Sequence, residues 1–218
     1  MSQAFAGARS TPTVWNKVAL IAALVFGSGF VVGFVLPYFR LTPEAFGPYW
    51  QKRSWLLLHL STGTIALLVG PFALWLGLGR RRMQLHRILG ASYMASVALS
   101  CVAAFYLAFH TDLGWVFGMG LAGLATAWVV TTGLALISIK KRMIPQHQEW
   151  MIRSYVVTLA FVNFRILVGI LEVAGVGTLP ERLTAASWFC WAIPLLVTEA
   201  ILQGRKLFST PARVLDLE

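Results

Sequence analysis

The sequence predicts an all-α, polytopic membrane helical bundle of about six transmembrane helices with both termini cytoplasmic. Three observations predict it. The 218-residue chain is 58% hydrophobic and only 12% charged. Its mean hydropathy is +0.73. It also carries six apolar runs of the length, about 20 residues, that a hydrocarbon core of roughly 30 Å requires. Helices are the form such runs must take, because lipid offers no water to satisfy backbone N–H and C=O groups.

The first run, 16–36, follows Arg9 and Lys17 and ends in "VLPYFR". No small-residue cleavage site closes it, so it reads as a retained anchor. Pro37, Pro43 and Pro48 then hold the chain out of a regular helix until the second run, 54–78, which stops at Gly77 and Gly79. The third run, 85–109, opens after "RRRMQ", and the fourth covers 113–139. Pro145 and Pro180 punctuate the starts of the fifth and sixth, 146–173 and 184–203. The reading is one domain: an N-terminal cytoplasmic segment 1–15, a transmembrane unit 16–203 and a C-terminal cytoplasmic tail 204–218. Between the first two runs, residues 37–53 hold Tyr38, Phe39, Phe46, Tyr49 and Trp50 and read as an aromatic belt at the outer interface. A lid over an outer site is the alternative. Gly27, Gly29 and Gly33 suit close helix packing. Cys101 and Cys190 fall inside spans as small apolar residues and form no metal or disulfide pattern.

A net charge of +10 could suggest nucleic acid, but the placement of the cations excludes that reading. Arg9, Lys17, Arg80, Arg81, Arg82, Arg87, Lys140, Lys141, Arg142, Arg153, Arg205, Lys206 and Arg213 fall at one set of helix ends. Arg40, Lys52, Arg53 and Arg182 fall at the other, and Arg165 stays within a span. The positive-inside rule puts the crowded side in the cytoplasm, which makes the lipid bilayer the first partner. Anionic lipid is compatible with the crowded end. The expected location is a bacterial plasma (inner) membrane.

Four histidines lie at or just inside helix ends: His59, His86, His110 and His147. Ionisable groups inside a membrane are costly and point to function. His86 and His147 open the third and fifth runs on the cytoplasmic side, at one depth. His59 enters from the outer side, on the order of 30 Å away by helical rise. One cofactor cannot join all of them. His59 is followed one turn later by Gly63, and His86 by Gly90 and then Tyr93. A glycine beside an imidazole leaves room for a flat macrocycle, although it also lets helices approach. A haem b on His86 and His147, with Arg87 and Arg153 at its propionates, uses residues of one depth; topology explains the same arginines without haem. Arg165 lies about 27 Å beyond His147 on the same face. Its expected partners are Glu172, or a propionate, quinone oxygen or substrate near His59. His110, beside Asp112, reads as a ligand to that outer site or as an interfacial cap.

The set "HLSTG", "GRRRMQLHRILGASYM" and "HQEWMIRSYVVTLAFVNFR" resembles a widespread family of uncharacterised bacterial integral-membrane proteins, a domain of unknown function, over residues 54–173. The resemblance implies that His59, His86, Arg87, His147, Trp150, Met151, Arg153 and Arg165 belong to the family's pattern. It supplies no activity. More loosely, the chain resembles membrane b-type cytochromes, which imply paired histidines on core helices; the fourth run here has none. The leading expectation is therefore a b-type haem protein with an electron-transfer or quinone-linked role. The inner haem is expected on His86 and His147, and a second haem or a quinone at His59 and Arg165. The rivals are a small-molecule transporter or binding protein with an outer His/Arg cavity, and an accessory or assembly subunit of a membrane complex. An oligomer is compatible with each. No inverted repeat and no helix pair broken at mid-membrane is visible in the sequence to favour transport.

Overall fold

The computed structural model describes residues 14–80 and 82–208, with side chains from residue 17. Arg9, Arg81, Arg213 and most of the two terminal segments lie outside the described residues. Seven long helices are present among the described residues: α1 (Val14–Phe30), α2 (Arg53–Leu78), α3 (Met83–Phe109), α4 (Trp115–Lys140), α5 (Ile144–Thr158), α6 (Ala160–Val173) and α7 (Leu179–Phe208). Five segments are long and apolar enough to cross a membrane alone, and α5 with α6 makes a sixth span bent by 44°. All six predicted runs are helical. The sequence reading missed the break in the fifth.

The break falls at Leu159, one residue after Thr158, whose hydroxyl donates back to the Ser154 carbonyl at 2.9 Å. Leu159 then caps α5 with a tightened last turn before α6 begins.

Helices α2 to α5 close a ring, each packed on the next and α5 back against α2. Lipid gives no hydrophobic drive between helices, so close packing and hydrogen bonds must hold them together. Gly70 of α2 supplies the closest approach. A Cβ there would stand 2.5 Å from the Tyr155 ring and 3.2 Å from the Tyr93 ring. The remaining helices flank this ring. α7 lies against α4, α5 and α6, with Ser187 and Trp191 seated over Gly120 and Gly123. α1 touches α2 and α6 sparingly. Of its two glycines only Gly27 faces a neighbour, a Cβ there standing 3.4 Å from Leu67; Gly29, and Gly33 in the turn that follows, face open space.

Residues 37–52 are a folded cap and not a flat belt. After α1 the chain widens into one π turn, Val31–Val35, and then tightens through a 3-10 turn, Leu36–Arg40. The Thr42 hydroxyl accepts the Ala45 amide at the next turn. Phe46 is buried between Tyr38 and Trp50, at centroid distances of 5.5 and 5.8 Å. Lys52 clamps this cap to the α3–α4 connection through Asp112 at 2.8 Å and the His110 carbonyl.

Candidate functional site

The connections between α2 and α3 and between α4 and α5 share one end of the bundle, the arginine-rich end. There α3 and α5 start together, and both run toward the opposite, aromatic end. The Tyr93 hydroxyl meets the Ser154 hydroxyl at 2.7 Å, which fixes the register of the two helices. His86 precedes Tyr93 by seven residues, and His147 precedes Ser154 by seven. Both imidazoles therefore sit two turns, about 10.5 Å, from that contact and at one depth.

Each imidazole is anchored through Nδ1 to a carbonyl of a neighbouring helix. His86 Nδ1 meets the Ala73 carbonyl of α2 at 2.9 Å. His147 Nδ1 meets the Ala135 carbonyl of α4 at the same distance. With the proton on Nδ1, the Nε2 lone pair of each ring is left free of hydrogen bonds among the described residues. This is the arrangement by which proteins orient a metal-binding histidine. His86 lies flat on Gly77, where a Cβ would stand 2.6 Å from Cε1. One turn on, no atom lies within 4 Å of a Cβ built on Gly90. Arg87 is exposed beside His86.

Arg153 does not join this group. Its side chain is 6% exposed and pairs with Glu199 of α7, Nε to Oε2 at 2.7 Å, and with Glu149 at 3.5 Å. It also stacks over Trp150 at 4.6 Å. In the structure Arg153 ties α5 to α7, which the sequence hid because the pairing crosses 46 residues. Tyr93 is likewise engaged inside the bundle. Its hydroxyl is taken up by Ser154 and Thr158, both at 2.7 Å. Thr132 bonds Ser154 at 2.7 Å and the Trp128 indole donates to Thr158 at 2.9 Å. Of this buried hydroxyl cluster the sequence reading singled out Tyr93 alone. Its sequence signal was weak: hydroxyls within apolar runs.

The outer residues fall in three separate places. His59 Nδ1 bonds Ser100, at 2.9 Å to Oγ and 3.2 Å to the carbonyl, and its ring meets Phe161 edge-on at 5.9 Å. Gly63 receives the Ser100 hydroxyl at 3.5 Å, so that glycine is filled, unlike Gly90. His110 stacks on Tyr106 at 4.1 Å, itself stacked on Trp55, and bonds its own helix at the Tyr106 carbonyl. Arg165 stacks on Phe34 of the α1 extension at 4.8 Å. It makes no ion pair with Glu172 among the described residues, and a chain of rings, Phe161 and Phe164, runs between His59 and Arg165. Among the described residues, no three His, Cys, Asp or Glu side chains converge as a metal group. The Trp75 indole N–H is buried with no partner.

A family described as "Predicted membrane protein (DUF2306)" matches residues 56–202. That stretch is two thirds of the chain and takes in the whole ring of helices together with α6 and most of α7. The chain belongs to this family. Its matched region includes His59, His86, His147 and Arg165, while α1 and the cap lie before it. No curated protein matches the chain, and no solved structure does. The DUF2306 chain is thus an integral membrane protein of several spans.

Proposed function

We propose that this DUF2306 chain is a b-type haem protein of the bacterial inner membrane, with both termini cytoplasmic, that passes electrons to or from a quinone-like carrier or redox partner. The observation that carries the reading is the matched register of His86 and His147 on two ring helices. Both have Nδ1 tied to a backbone carbonyl and Nε2 free. The donor set fits haem iron, which takes two neutral imidazoles through Nε2. Open space over Gly90 suits a flat ring beside His86. The haem supplies one-electron chemistry when bound. The chain's own residues orient the two ligands through Ala73 and Ala135, and Arg87 offers charge to a propionate at the polar rim. The aromatic end offers His59 as its imidazole inside the bundle, so a quinone fits there better than a second bis-histidine haem.

The test is a dithionite-reduced minus oxidised spectrum of the purified protein with haem counted per chain. Sharp reduced bands are expected, lost in His86→Ala and in His147→Ala and kept in His110→Ala. A folded, colourless protein made with ample haem supply would sink the reading. One observation favours a second reading, a small-molecule transporter: the 44° break within the fifth span, since broken helices form midplane sites in transporters. Ligand-dependent stabilisation without haem colour would select it.

A further inference from the structure

Arg165 stands 21 residues beyond the start of α5, about 31 Å along the span by helical rise. That is roughly one hydrocarbon thickness from the arginine-rich end, at the far polar boundary. Its surroundings agree. Phe34 lies just before the α1 extension tightens at Leu36.

Three of the other cations near this end have oxygen acceptors: Lys52 holds Asp112, Arg53 the Trp50 carbonyl and Arg182 the Val176 carbonyl. Arg40, exposed at the end of its turn, has none among the described residues, but unlike Arg165 it borders no apolar groove. The Arg165 guanidinium meets only the rings of Phe34 and Phe164, at 4.8 and 5.9 Å, among the described residues. Five N–H donors in a rigid fork are thus left for something outside the chain. Beside them runs an open apolar groove lined by Ile166, Gly169, Ile170 and Val173, with no atom within 4 Å of a Cβ built on Gly169. One cation at the margin of an apolar groove, at the depth of lipid headgroups, matches an anionic amphiphile. A phosphodiester pairs with guanidinium through two parallel bonds, whereas a neutral quinone oxygen leaves the charge uncompensated.

We propose that Arg165 holds the phosphodiester of an anionic phospholipid whose apolar part lies in this groove. The proposal is independent of the haem reading and is measured on the full chain whether or not it is coloured. Native mass spectrometry of the delipidated, detergent-solubilised protein is titrated with phosphatidylglycerol, phosphatidylcholine and a short-chain ubiquinone. Phosphatidylglycerol should be retained about tenfold more strongly than phosphatidylcholine, the size of one charge-assisted contact. Arg165→Gln should abolish that preference. Arg165→Lys keeps the charge but loses the fork, and should weaken it severalfold even if the glutamine variant fails to fold. Arg82→Gln with Arg87→Gln should leave the preference intact. The proposal is overturned by equal retention of both lipids, by an unaltered preference in Arg165→Lys, by loss only in the Arg82/Arg87 variant, or by ubiquinone displacing phosphatidylglycerol from the wild type.

Discussion

Gly77→Ala tests the anchoring of the inner imidazole most directly. A Cβ at residue 77 would lie 2.6 Å from His86 Cε1, 3.0 Å from Nδ1 and 3.4 Å from Nε2. Carbon atoms settle at about 3.5–4.0 Å, so the ring must retreat by about 1 Å. The Nδ1 to Ala73 bond, now 2.9 Å, would then stretch to nearly 4 Å, beyond hydrogen-bond range. Loss of that bond costs about 1 kcal/mol, and overpacking a fitted contact costs about 1–3 kcal/mol. The expected destabilisation is therefore about 2–4 kcal/mol. Unfolding in detergent mixtures with increasing dodecyl sulfate, followed by far-ultraviolet circular dichroism, reads it. The same preparation reads the ligand, because an imidazole released from Ala73 no longer presents Nε2 from a fixed ring, and haem per chain should fall. Stability within about 0.5 kcal/mol of wild type, with unchanged haem content, would refute the anchoring argument.

Gly90→Ala should behave oppositely in the two readouts. The added Cβ meets nothing within 4 Å, so the chain should be unaffected or stabilised by up to about 1 kcal/mol, while haem per chain drops if the macrocycle lies on that face. Unchanged haem in this variant would place the macrocycle elsewhere. Glu199→Gln removes the nearer partner of Arg153 and leaves Glu149 at 3.5 Å. A wholly buried pair would cost about 3–5 kcal/mol to break, but the Glu199 side chain is 43% exposed. A lowering of about 1–2 kcal/mol is therefore expected on the same unfolding curve. A neutral result would show that Glu149 alone carries Arg153.

Much of the fold was legible because each span needs only its own apolar run. Residue composition sets whether a segment prefers lipid, and prolines and glycines mark where it stops. The shared depth of His86 and His147 was legible too, since both stand at fixed offsets from helix starts. Partners were not. Arg153 was read at an open rim because Glu199 lies on another helix, and Arg165 was matched to Glu172 because helical phase put both on one face of one helix. The break at Leu159 escaped because neither proline nor glycine stands between Pro145 and Gly169 to mark it.

By itself, then, the sequence predicted the apolar helical segments and the offset of each histidine from its helix start, since these depend on local hydropathy and a fixed rise per residue. Only the tertiary structure decided which atoms remain free. It tied each inner Nδ1 to a neighbouring carbonyl, spent the Tyr93 hydroxyl on Ser154 and Thr158, and left Arg165 without an oxygen. Hydrogen-bond partners across helices depend on which faces meet, and that is set by the packing of small residues such as Gly70 and Gly77 against particular rings.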